Sequence, residues 1–317
     1  DIVAMNSVVW DNDALGANFT VGPIPADLVD KANEARQLLI EMLIEAKSGH
    51  TAGPLGMADI FTAFYFHILK HNPQKPDWAE RDRVVLSNGH ICPVLYATMA
   101  HAGYIPLSEL HTLRKFGTRL QGHPHREYLP ILETSSGPLG SGLSQAVGMT
   151  MGLRMDKKSS HVYCLLGDGE LDEGQNWEAI MLAGRERLHN LIAIVDRNNI
   201  QIDGFTEDVM PLEPLADKYK AFNWNVIEVN GHDVRALVAA FTEARATWEK
   251  PTVIIAHTIP GKGVREIEGD YRWHGKPPSK ADFSGYDSRE TAESDCGSYE
   301  FVVPVDVPLS VLKRVPR

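Results

Sequence analysis

The hydrophobic pattern changes character several times along the chain. Residues 1–24 show no clear periodicity and are expected to form an N-terminal arm. From Ala26 onward, Leu28, Ala32, Ala35, Leu39, Met42, Leu43 and Ala46 recur at three- and four-residue spacing, which predicts an amphipathic helix capped near Gly49. A second apolar helix is expected over residues 57–69, and RDRVVLSNGH reads as a short buried strand running into a polar turn. The middle is the most regular part. HVYCLLGDG is a continuous apolar run that breaks at glycine, GQNWEAIMLAGRERL has the helical period, and LIAIVDRNN is a second apolar run ending in polar residues. VIEVNG, a helix across residues 234–248, and PTVIIAHT continue the alternation.

Continuous apolar strands alternating with helices predict an α/β fold, a doubly wound and mostly parallel sheet with helices on both faces. Such sheets bind ligands beyond the carboxyl ends of their strands. GDGE, DRNN and HTIPGKG all fall at those ends. Residues 25–278 therefore read as one domain, and from KPPSK onward the chain turns polar and weakly periodic, giving a tail over 279–317.

Composition narrows the function classes. The 317 residues carry a formal net charge of −11 with no dense Lys/Arg block, which argues against nucleic acid or an anionic membrane as partner. No apolar stretch reaches membrane-spanning length, and the N-terminus lacks the basic region of a signal peptide. Cys92, Cys164 and Cys296 have neither metal-ligand spacing nor an even count, which fits a reducing compartment. The expected location is cytoplasmic.

The stretch LLGDGELDEG at 165–174 then needs an explanation. Glycines after a strand let a phosphate approach the backbone, and a following helix start offers free amides, yet an aspartate would repel that phosphate. A hard divalent cation between them removes the conflict, because Mg²⁺ takes about six oxygens and bridges protein carboxylates to phosphates. A second oxygen donor lies thirty residues after Asp168, at Asn198 in DRNNIQIDG. One strand–helix–strand crossover spans that distance and brings both groups to neighbouring strand ends. The bland alternative is an ordinary surface turn, since Gly-Asp-Gly alone is common.

GDG followed about thirty residues later by NN resembles the signature of thiamine-diphosphate enzymes. SGHTAGPLG at 48–56, RDRVVLSNGHICPVLYA at 81–97, QGHPH at 121–125 and TSSGPLGSG at 134–142 narrow the resemblance to the transketolase family. Transketolases carry a two-carbon ketol unit from a ketose to an aldose, with the cofactor supplying the hard chemistry. The resemblance implies that Asp168 and Asn198 hold Mg²⁺ (or Ca²⁺ or Mn²⁺) through their side chains and Ile200 through its carbonyl. It implies that Gly169 donates its amide to the diphosphate, that Leu139 and Ile202 pack on the cofactor rings, and that Gly137 bonds the aminopyrimidine through its backbone. His50 and His123 would face the reacting end of the sugar, with His90 and His274 nearer the diphosphate. Neutral imidazoles can give or take protons near pH 7. Glu173, and more remotely Glu178, would join a proton-linked network between two active sites. A solvated helix start is the alternative for Glu178; Lys262 in PGKGV could approach a phosphate, with a solvated loop lysine as the default.

The family also needs a pyrimidine-binding domain and a C-terminal domain, and the forty residues after the diphosphate domain are too few for either. The resemblance therefore implies one subunit of a split transketolase, active with a separate C-terminal partner chain in an α2β2 assembly and acting on sugar substrates; a truncated piece of a longer protein is the alternative origin. QGHPHRE lacks the acidic residue more frequent after that proline, which bears on donor preference. Three alternatives remain: the alpha-type subunit of a 2-oxo-acid dehydrogenase first component, a deoxyxylulose-phosphate synthase, and a noncatalytic transketolase-like subunit that regulates a partner.

Overall fold

The computed structural model describes residues 27–282 in full, together with the backbone of residues 6–10 and 19–23. Five strands build the central sheet: β3 (Arg83–Leu86), β4 (Val162–Gly167), β5 (Leu191–Arg197), β8 (Asn225–Asn230) and β9 (Thr252–His257). Their spatial order is β3-β4-β5-β9-β8 and every pairing is parallel. The expected doubly wound sheet is therefore what forms.

The reason lies in how the strand side chains divide. Tyr163, Leu165, Ile192, Ile194 and Ile254 point into one core, against α1 (Leu28–Ala46), α3 (Ala58–Ala63), α4 (Cys92–His101) and α9 (Val234–Ala246). Their neighbours Cys164, Leu166, Ala193, Val195 and Ile255 point into the other, with α5 (Ser141–Met155), α6 (Gly174–Glu186) and α8 (Leu215–Ala221). Apolar residues are needed on both faces, so these strands read as unbroken apolar runs.

Three elements differ from expectation. Residues 1–24 include a two-stranded antiparallel ribbon, β1 (Asn6–Trp10) with β2 (Phe19–Pro23), rather than a featureless arm. Both strands are too short to carry a readable period. The first helix ends at Ala46, and the left-handed cap is Lys47 at φ 52°, with its N–H bonded to the Leu43 carbonyl; Gly49 follows at φ 131°. The 57–69 helix is α3 continued by a π-turn over Phe64–Ile68, and α2 (Ala52–Gly56) precedes it. The remaining small elements are the hairpin of β6 (Ile200–Gln201) with β7 (Gly204–Phe205) and the single-turn α7 (Thr206–Val209). Cys296 and most of the 279–317 tail lie outside the described residues.

Close packing of α6 gives a direct test of the architecture. A Cβ added at Gly184 would sit 1.8 Å from the Phe222 carbonyl oxygen, a backbone atom that cannot rotate away. Gly184→Ala should destabilise the fold by about 3 kcal/mol through overpacking. Denaturant unfolding checks this, and an unchanged midpoint would contradict the packing.

Candidate active site

All five strands end along one edge, and that edge collects the unusual motifs. SNGH follows β3, GDG follows β4, DRNN closes β5, NGHD follows β8 and HTIPGKG follows β9. Registers Gly167↔Asp196 and Arg197↔His257 place the ends of β4, β5 and β9 side by side.

Asp168 is buried at 1% exposure, and its carboxylate is wrapped by the turn after β5. Oδ2 accepts from the Asn199 amide at 2.6 Å and from Arg197 Nη1 at 2.9 Å, while Oδ1 accepts from the Gly169 amide at 2.7 Å. Burial raises the Asp168 pKa, opposed chiefly by the Arg197 guanidinium. Asn198 is buried beside it. Its Nδ2 donates to Asp196 Oδ2 at 2.8 Å, and its Oδ1 accepts from the Ile200 amide at 3.0 Å. Asp196 is buried and pushed up to about 7 by desolvation, against a hydrogen bond from Thr258 and with Asp168 adding repulsion.

These groups fit a hard cation. A carboxylate, an amide oxygen and the Ile200 carbonyl are all oxygen donors on buried residues, with one formal negative charge among them, which suits an ion that keeps positions for phosphate oxygens. Among the described residues no three His, Cys, Asp or Glu side chains converge as a metal site. The Gly169 amide is engaged by Asp168 itself, so contact with a diphosphate needs the carboxylate to turn toward a cation. The helix start expected after GDG is a single 3₁₀ turn over Gly169–Asp172, and α6 begins only at Gly174.

The four acids of GDGELDEG separate by burial. Asp168 and Glu170 are inside, whereas Asp172 and Glu173 are exposed. The sequence reading did not single out Glu170, because nothing in an acidic run marks which member turns inward. Its Oε1 accepts from the Ser87 hydroxyl and from the Gly140 amide at 2.7 Å, and Oε2 accepts from the Gly167 amide at 3.1 Å. One side chain thus ties together the ends of β3 and β4 and the SGPLGSG loop. Burial raises its pKa against those donors.

The four motif histidines converge. His50 lies 4.9 Å from His90, 5.4 Å from His274 and 6.4 Å from His123, measured between ring centroids, and His90 lies 5.0 Å from His274. They come from four separate loops. Gly89 allows this approach, since a Cβ there would meet Ser136 Oγ at 2.2 Å and His123 Cδ2 at 3.2 Å. Desolvation lowers all four pKa values: His50 falls to about 3, His274 to about 4, His90 well below its usual value, and His123 downward with help from the Arg114 charge. The rings are therefore neutral near pH 7. His50 Nδ1, His274 Nδ1, Ser136 Oγ and both amide atoms of Asn88 are buried without a hydrogen-bond partner, as expected of groups aimed at a polar ligand.

A pH dependence follows with a definite sign. An imidazole whose folded pKa lies below 6.5 takes up its proton first in the unfolded chain. Its contribution is full above pH 6.5 and is lost as pH falls toward about 4 for His274. Asp196, raised to about 7, acts in the opposite direction. Without added cofactor, His274→Gln should accordingly lose less stability than wild type between pH 7 and 4. Equal slopes in denaturant titrations would contradict this.

The other expected residues are more open. Gly137 adopts φ 146° with open space where a Cβ would point. Leu139 and Ile202 are apolar yet 39% and 68% exposed. Glu173 caps α6 without a side-chain bond, and both it and Glu178 are exposed. Lys262 is 9% exposed, so the solvated loop lysine expected as its default is not found. Its burial was not revealed by the flanking glycines.

Comparison with known proteins identifies the family. Residues 29–314 match the thiamine diphosphate binding domain of transketolase. The chain is 43% identical over 248 residues to the 6-deoxy-6-sulfo-D-fructose transketolase subunit SqwG of Clostridium sp. (strain MSTE9), covering 78% of this chain and 90% of that one. It is 42% identical over 249 residues to one of the subunits of apulose-4-phosphate transketolase from Phocaeicola vulgatus, covering 78% and 88%. Against human transketolase the identity is 41% over 258 residues, covering 80% of this chain and 40% of that protein. The crystal structure of Campylobacter jejuni transketolase superimposes with a TM-score of 0.79 at 35% identity, covering 85% of this chain and 43% of that one. The chain thus spans less than half of the full-length transketolases and nearly all of the two subunits. It belongs to the transketolase family.

Proposed function

We propose that this chain is the diphosphate-binding subunit of a two-chain transketolase, moving a two-carbon ketol unit from a ketose to an aldose. The observation that carries the reading is the convergence of four neutral imidazoles at the sheet edge that also carries the buried Asp168–Asn198 pair. Residues 25–278 form the functional unit, flanked by the arm and the tail.

Asp168, Asn198 and the Ile200 carbonyl hold the cation, Mg²⁺ first, with Ca²⁺ or Mn²⁺ as substitutes. Gly169 turns its amide to the diphosphate, while Leu139 and Ile202 present exposed apolar surface to the cofactor rings and Gly137 its backbone. Thiamine diphosphate, when bound, supplies a carbanion that accepts the ketol unit. His50 and His123 move protons on the sugar's hydroxyl and carbonyl oxygens, which suits imidazoles kept neutral near pH 7. His90 and His274 orient the diphosphate end. Glu173, with Glu178 behind it, sits on an exposed helix start where a partner would cover it.

The pyrimidine-binding and C-terminal domains come from a separate chain, in an α2β2 assembly in the cytoplasm. Two relatives named as transketolase subunits support the two-chain arrangement, and their names specify a sulfo-sugar and a phospho-sugar. A ketose with an anionic end group is therefore the substrate class. Affinity purification of the full chain from the cells that make it tests the assembly. A stoichiometric second chain of domain size together with thiamine diphosphate is expected. Recovery of this chain alone, or decarboxylation of a 2-oxo acid by the purified complex, would overturn the proposal.

A further inference from the structure

The loops carrying His50 and His123 meet at a residue that neither motif contains. Arg114 lies between the 3₁₀ turn Leu107–Thr112 and the QGHPH loop. Its Nη1 donates to Ser48 Oγ at 2.8 Å, two residues before His50. Its Nη2 donates to the Gly122 carbonyl at 3.3 Å, one residue before His123. The two arms of one planar guanidinium thus grip both histidine loops at once, which a rigid fork of donors does well.

We propose that Arg114 is a positioning residue for the substrate-facing histidines, clamping the Ser48–His50 loop to the Gln121–His123 loop so that both rings face one reaction space.

Three observations support the clamp. Gly122 makes room for it, because a Cβ there would lie 2.5 Å from Arg114 Nε and 2.6 Å from Cζ. The same loop is held from beneath by α4, through Cys92 Sγ to the Gly122 carbonyl at 3.2 Å and Tyr96 OH to the Gln121 carbonyl at 2.9 Å. Arg114 itself has φ 59°, the left-handed region that glycine or asparagine occupies at less cost, and its amide is bonded to the Leu120 carbonyl at 3.0 Å. The side chain's contacts must outweigh that strain.

The clamp also places a permanent positive charge behind both rings. Among the described residues, Arg114, His90, His123 and His274 face His50, and Arg114, His50 and His90 face His123. Arg114 depresses the basicity of both, after desolvation for His123 and after desolvation and His274 for His50. One group therefore aims the imidazoles and keeps them unprotonated.

The proposal rests on the reading that His50 and His123 act on the sugar, but its test reads the rings themselves and needs neither partner nor substrate. Histidine-labelled full-length chain is titrated by NMR as wild type, Arg114→Met, Arg114→Lys and Arg114→Gly, and deuterium exchange is followed in peptides covering 48–50 and 121–123. Loss of the charge in Met and Gly should move the His50 and His123 titrations to higher pH, whereas Lys should hold them near wild type. All three lack the fork, so both peptides should exchange roughly tenfold faster. Arg114→Gly relieves the backbone strain and keeps the test open where the Met variant does not fold. Ser48→Ala should speed exchange only at 48–50. Unaltered titrations and exchange in Arg114→Gly would overturn the proposal. Altered rings with unaltered turnover in the assembled enzyme would instead place the fault in the functional reading.

Discussion

Asp168→Asn should weaken Mg²⁺-dependent binding of thiamine diphosphate by more than about 100-fold, while the melting temperature stays within a few degrees of wild type. The affinity loss exceeds the 10- to 100-fold typical of altering a group behind a metal ligand, because the ligand itself loses its charge. The fold survives because Arg197, which neutralises Asp168, also donates to Glu207 Oε1 at 2.5 Å and to Glu213 Oε1 at 3.0 Å. Removing the negative charge therefore leaves the guanidinium paired rather than stranded, and the 3–5 kcal/mol penalty usual for breaking a buried pair is largely avoided. Titration calorimetry at fixed cofactor with varied Mg²⁺ measures the effect. Equal Mg²⁺-dependent affinities in variant and wild type would remove Asp168 from the cation site.

His123→Ala should lower kcat by roughly 100- to 10,000-fold, the range for removing a general acid or base. Cofactor affinity should change little. The distinction comes from location: His123 is the exposed member of the cluster, 6.4 Å from His50 and carried on a loop separate from the Asp168–Asn198 turns. Steady-state kinetics and cofactor titration on the assembled enzyme separate the two quantities. Comparable losses in both would make His123 a structural element of the cofactor site.

Much of this arrangement was legible in the sequence, for identifiable reasons. Strands buried on both faces have to be apolar throughout, so HVYCLLG and LIAIV declared themselves, and their breaks at GDG and DRNN marked the carboxyl edge of the sheet. Strand order was not legible. The last strand, β9, inserts between β5 and β8, and an apolar run carries no record of its neighbours. Helix α5 escaped as well, since its glycines and serines blur the apolar period.

Within the candidate site, residues that belong to motifs could be named from the sequence, and residues that support them could not. Glu170 sits in the same acidic run as Asp172, and only the 3₁₀ turn decides that one points inward and the other out. Arg197 lies inside DRNN, but its pairing with Asp168 depends on β4 and β5 being adjacent. Arg114 is 64 residues from His50 and 9 from His123, and nothing at those distances announces a shared hydrogen-bonding partner. Charged residues that organise a site act through tertiary contacts, whereas those that bind a diphosphate are tied to strand-end turns with a fixed local pattern.

The central claim is that this chain, joined to its partner, transfers a two-carbon unit. The most direct measurement supplies the co-purified complex with a ketose phosphate labelled with ¹³C at its first two carbons, an unlabelled aldose phosphate, Mg²⁺ and thiamine diphosphate, and follows the label by NMR. The account predicts that both labelled carbons appear together, still bonded, at the first two positions of a new ketose, and that omitting this chain abolishes the transfer. Label confined to the donor, or released as carbon dioxide, would contradict it.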